Sequence, residues 1–176
     1  MAETLTLTYL NEDDKAYGLA GMAISLAALD AMDFVADISL DADGPMVNFS
    51  QQYYHPASPA TSVKSNWDNL LHNFYITSAM VISNVMARSL VRMHSPVPKD
   101  ILDTIYAEIA EEGKDTCSLE DDEIENIYSR TTSYMRRIFN NPRVMPAVDE
   151  FARTISRRRT LSGHEILDEL KLLQII

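Results

Sequence analysis

The chain predicts a mainly α-helical fold: a single domain over residues 1–176, with five to six helices around a long central helix. Three observations carry this. Residues 69–87 (NLLHNFYITSAMVISNVMA) contain no Asp, Glu, Lys or Arg, inside a helical pattern from about residue 63 to residue 94. Residues 16–29 (AYGLAGMAISLAAL) are also free of charge and rich in Gly, Ala and Ser. Five Gly and seven Pro are few for 176 residues, so regular structure should dominate. A solvated helix would show charges on its outer face, which predicts protein on most sides of the central helix. Asn69, His72, Asn73, Thr77, Ser83 and Asn84 are too polar a set for a span of lipid.

In chain order, residues 4–9 (TLTLTY) alternate with the period of a strand. Asn11 is a helix N-cap, with Glu12, Asp13 and Asp14 in the first turn, where the helix dipole favours negative charge. This first helix is expected over residues 12–34 or slightly beyond. Gly18 and Gly21 each cost about 1 kcal/mol of helix propensity, so a close crossing with the central helix is the expected compensation. Residues 38–62 break the helical pattern. Asp43-Gly44 marks a turn between apolar runs, predicting a small β-hairpin near residues 36–52. Pro96 follows the long helix. Further helices are expected from Lys99 to about Glu112 with Gly113 as the stop, and from a Ser118 cap to the Asn140-Asn141-Pro142 break. Two more follow, one from Met145 burying Val148, Phe151, Ala152 and Ile155, and one from a Ser162–Glu165 capping box.

The net charge of −11 is uneven. Residues 1–129 hold 6 basic and 21 acidic side chains, and residues 130–176 hold 9 basic and 5 acidic. An acidic chain repels nucleic-acid phosphates unless its basic part is presented separately. Cys117 is the one cysteine, which excludes an internal disulfide and fits a reducing compartment. The N-terminal residues lack a basic region followed by an apolar run, so the expected location is cytoplasmic, with no membrane partner.

Four constellations are candidates for function. Asp30, Asp33 and Asp37 are spaced i, i+3, i+7, one face of a continuous helix. Together with Asp68 and His72 near the start of the long helix they could hold a divalent metal, although a solvated acidic face is the plainer reading. Tyr53, Tyr54 and His55 lie on the irregular segment beside the long helix, and with Asn73 and Asn84 they are candidate pocket residues. Arg153, Arg157, Arg158 and Arg159 are candidates for nucleic acid, set against cations expected in the last turns of helices. Asp41, Asp43 and Gly44 have part of the spacing of an EF-hand calcium loop, but Ser39 and Ser50 stand where the first and twelfth ligands belong, so the segment reads as an Asp-Gly turn.

No Gly-x-Ser-x-Gly elbow, phosphate-binding glycine loop or His-Glu-x-x-His motif is present, and the sequence leaves any cofactor unknown. The leading expectation is a non-enzymatic helical interaction or regulatory module that pairs with itself or a protein partner. A metal- or small-ligand-binding domain is the second reading. A nucleic-acid-associated regulator using the C-terminal arginines ranks last.

Overall fold

The computed structural model describes residues 4–55 and 62–176. It is mainly helical, with a small antiparallel sheet, as the sequence pattern predicts. Residues 56–61, part of the expected irregular segment, lie outside the described residues.

Helix α1 (Glu12–Ala28) starts at Asn11, whose side chain accepts a hydrogen bond from the Asp14 N–H at 2.8 Å. The capped turn holds Glu12, Asp13 and Asp14, where the helix dipole attracts them. Residues 4–10 form no strand. Their alternation lacks a partner ladder, and the Thr6 and Thr8 carbonyls accept from the Arg88 guanidinium instead.

α1 stops earlier than its periodicity suggests. Asp30 takes φ 55°, a 3₁₀ turn covers Met32–Phe34, and the chain then enters strand β1 (Val35–Ser39). No basic residue sits in the last turn of α1 to hold its C-terminus. Beyond it, Val35 and Ile38 find a buried place in a sheet. β1 pairs antiparallel with β2 (Val47–Phe49) across the Asp-Gly turn, with Ile38 opposite Val47. On its other edge β1 pairs with β3 (Thr160–Ser162), giving the order β2-β1-β3. A short helix, α2 (Gln51–Tyr54), follows the hairpin.

The long helix α3 (Val63–Met86) continues as a π-helical segment, Ala87–Arg92. There the Met93 N–H donates to the carbonyl of Arg88, five residues back. α1 crosses α3 closely: a Cβ on Gly21 would lie 2.3 Å from the Ser83 carbonyl oxygen, and one on Gly18 2.7 Å from Asn84 Nδ2. Contact between backbones offsets the helix propensity these glycines forfeit.

The expectation that protein surrounds the whole charge-free stretch needs correction. From Phe74 onward α3 is largely buried, with Ile76, Ala79, Ile82 and Met86 sealed. Before Phe74 it is wet: Val63 is 86% exposed, Trp67 41% and Leu70 44%. Neutral polar residues such as Asn69 and His72 take the place of charges there, so lack of charge did not mean burial. α3 with its π continuation is long and apolar enough to cross a membrane, yet most of its apolar window is buried in protein.

Helix α4 (Lys99–Cys117) runs through Gly113, contrary to the expected stop. Gly113 packs there on Phe74 and Ile124, which a Cβ would meet at 3.0 and 3.2 Å. Ser118 ends α4 at φ 53° rather than starting the next helix. Helix α5 (Asp121–Phe139) begins instead at a Glu120–Glu123 capping box and ends at the Asn-Asn-Pro break. Helix α6 (Met145–Arg158) buries Val148, Phe151, Ala152 and Ile155, and α7 (Gly163–Leu172) starts on the Ser162–Glu165 box. Phe139, Phe151, Ile82 and Ile105 meet in the core these helices enclose. Each buried side chain of this size contributes about 1.5–3 kcal/mol.

Candidate functional site

A cavity of about 860 Å³ opens between residues 4–10, the β1–β2 hairpin, α2 and the second half of α3. Met22 of α1 and Met80, Val81 and Val85 of α3 form its helical floor, and Leu7 and Tyr9 line it from the irregular segment. Phe49 and Tyr53 stack with ring centroids 4.0 Å apart, and Tyr54 meets Tyr53 edge-on at 5.1 Å. Among the described residues, Lys15 and Glu108 are its charged lining residues, and no His or Cys lines it. Burial, reinforced by Tyr54 and by the charge of Glu112, pushes the Tyr53 phenol up to about 12, so it stays protonated at neutral pH. Tyr54, 62% exposed, offers an open aromatic flank.

The polar side of the groove is built by one buried ion pair. Arg88 and Asp14 are both fully buried. Arg88 Nε donates to Asp14 Oδ1 at 2.9 Å and Nη2 to Oδ2 at 2.6 Å, a bidentate pairing. The same guanidinium reaches the Thr6 and Thr8 carbonyls at 2.9 and 3.0 Å and lies 4.8 Å over the Tyr9 ring. Asn84 accepts from Arg88 at 3.5 Å and donates from Nδ2 to the Tyr9 hydroxyl at 2.7 Å. Burial alone would raise the Asp14 carboxyl. The hydrogen bonds from Arg88 and the Leu10 N–H, with the charges of Arg88 and Arg92, outweigh it and hold the group below the usual aspartate range. A buried pair of this kind is weak evidence for stability and better evidence for a fixed arrangement. Here it fixes a segment that has no secondary structure of its own.

Of the pocket candidates, Tyr53, Tyr54 and Asn84 come together in this groove. Asn73 stands behind it, donating to the Tyr53 carbonyl at 3.4 Å. His55 is exposed at the end of α2 and does not line the groove. The acidic constellation does not assemble, because α1 ends at Ala28. Asp30 sits in a turn, Asp33 in the 3₁₀ turn, and Asp37 on β1, where Asn48 donates to it at 2.8 Å. Asp68 and His72 lie on the wet half of α3, with the His72 ring edge-on to Phe34 at 6.1 Å. Among the described residues no group of three or more His, Cys, Asp or Glu side chains is placed to hold a metal ion.

The C-terminal arginines are engaged inside the chain. Arg153 and Arg157 pair with Glu150, Arg158 with Glu165, and Arg159 with Asp41 and Glu12. Asp41, one of the residues of the calcium-like spacing, is thereby held below the usual range by the Arg159 hydrogen bonds. Burial pushes the Cys117 thiol up, with help from Glu112, which favours the protonated thiol.

Sequence reasoning missed Arg88 and Asp14. The available signal was a lone arginine directly after nineteen charge-free residues, opposite an acidic first turn. No family model, curated protein or solved structure matches this chain.

Proposed function

We propose that this chain is a non-enzymatic binding module whose groove takes a small amphipathic molecule. The carrying observation is the cavity itself, about 860 Å³, inside the range of small-molecule sites and walled mainly by apolar side chains. The Asn84–Tyr9 pair supplies an orienting polar mark, and the Arg88–Asp14 pair holds the wall that bears it. Thr77, Lys15 and Glu108 add few other polar groups. This lining suits retention of an apolar body with one polar end better than proton transfer or nucleophilic attack.

Displacement of an anilinonaphthalene sulfonate dye by dodecanol or dodecanoate tests the reading. Val81 lines the groove and is 40% exposed, so Val81→Glu should fold normally. It should weaken dye and amphipath binding more than tenfold, a change of about 1.4 kcal/mol or more. Leu172→Glu, at an exposed site outside the groove, should leave binding unchanged. Equal binding by wild type and Val81→Glu would remove the proposal.

Self-association is a second reading, favoured by Val63, Trp67 and Leu70. These are spaced i, i+4, i+7 along the wet half of α3, so they form one exposed apolar stripe. The partner would be a second copy of the chain, in the cytoplasm. Sedimentation equilibrium at high concentration should give the dimer mass, and a strict monomer would end this reading.

A further inference from the structure

We propose that a second concavity, between α3 and α5, binds a diphosphate-type anion. This cavity of about 430 Å³ is lined by Tyr75 of α3 and by Ser129, Arg130, Ser133, Tyr134 and Arg137 of α5. It contains two guanidinium groups and four hydroxyls, and among the described residues no carboxylate lines it.

Two observations mark this place, although Arg136 and Arg143 likewise meet no carboxylate among the described residues. The first is that its cations are unspent. In a chain with 26 acidic and 15 basic side chains, Arg88, Arg92, Arg153, Arg157, Arg158 and Arg159 all meet carboxylates. Among the described residues no carboxylate lies within 4.0 Å of Arg130 or Arg137. The helix dipole accounts for a cation at Arg137, in the last turn of α5. It does not account for Arg130, about two and a half turns before Phe139. The second is that Arg137 is preorganised. Its guanidinium carbon lies 5.5 Å over the Tyr134 ring, whose hydroxyl donates to the Ala28 carbonyl at 3.4 Å, so α1 steadies the platform.

The spacing selects the ligand. Arg130 and Arg137 start about 10 Å apart along the helix axis, with Ser133 and Tyr134 between them. Two planar forks rooted at that separation on one concavity suit an anion with two linked phosphate groups, each taking a bidentate pair. Tyr75 and Ser129 can donate to the remaining oxygens. Free diphosphate and the diphosphate of a nucleotide share this chemistry.

Isothermal titration of the full chain with inorganic pyrophosphate and with ADP, at 50 and 150 mM salt, tests the site. Saturable binding is expected, weakened at least tenfold by Arg130→Gln and by Arg137→Gln. Arg153→Gln, which removes an exposed arginine elsewhere, should change it less than twofold. Tighter binding of ADP than of pyrophosphate would identify a nucleotide as the source, and equal binding the free diphosphate. No saturable heat up to millimolar ligand, or equal weakening by Arg153→Gln, would overturn the proposal. All three variants replace exposed side chains, and matching thermal melts confirm that the fold is kept.

Discussion

The two halves of α3 carry the same kind of sequence and meet different surroundings. Residues 69–73 and 74–87 are equally free of charge, yet the first group faces water and the second is largely sealed. What separates them is the partner. Gly18 and Gly21 of α1 let its backbone settle against Ser83 and Asn84, both in the second half, and among the described residues no glycine approaches residues 63–73 in this way. The charge-free pattern therefore reports permission to be buried. Burial itself is decided by a second element with complementary small residues.

Asp14→Asn should disturb this contrast most, because Asp14 ties α1 to the π-helical end of α3. Leaving Arg88 buried without its carboxylate should cost about 3–5 kcal/mol in urea unfolding. The effect should depend on pH with a defined sign. The folded-state pKa of Asp14 is depressed, so its contribution is fully present above the unfolded value of about 3.9 and is lost as pH falls through the folded value. The difference between wild type and Asp14→Asn should thus be constant from pH 7 to about 5 and shrink below 4. A constant difference down to pH 2 would contradict the pairing.

Next in size is a matched pair of truncations along α3. Ile82→Ala, at a sealed position, should cost about 2–5 kcal/mol, whereas Leu70→Ala should cost under about 1 kcal/mol. Equal costs in denaturant melts would break the distinction between the halves. A large cost at Leu70 would place a covering partner on the first half and strengthen the dimer reading.

The parts of the fold legible in the sequence were those set by local chemistry. Asn11, the Asp43-Gly44 turn, the Asn140-Asn141-Pro142 break and the Ser162–Glu165 box each act within a few residues, and each stands where its pattern put it. Features decided by distant partners were not legible. The Asp30, Asp33 and Asp37 spacing mimics a helix, but β2 and β3 draw residues 35–39 into a sheet. Thr160–Ser162 is too short to show any period, so the third strand was invisible. Gly113 looked like a stop because its packing against Phe74, 39 positions earlier in the chain, leaves no local trace. For the groove, Tyr53, Tyr54 and Asn84 could be named from residue type and position. Tyr9, Arg88 and Asp14 could not, since their meeting depends on where residues 4–10 cross α3. Among the arginines the sequence favoured the densest run, and that run is the one its carboxylates consume.

The pairing of β1 with β3 has a kinetic consequence. The hydroxyls of Ser39 and Thr160 approach to 3.1 Å across 121 positions of chain. At ordinary translation speeds the ribosome adds that much chain in on the order of ten seconds. During that interval the hairpin is complete on one side only, and the bare edge of β1 must wait, with its backbone amides and carbonyls open to any other extended strand. Closing so long a loop is also slow, so the capture of this edge by β3 should come late in folding.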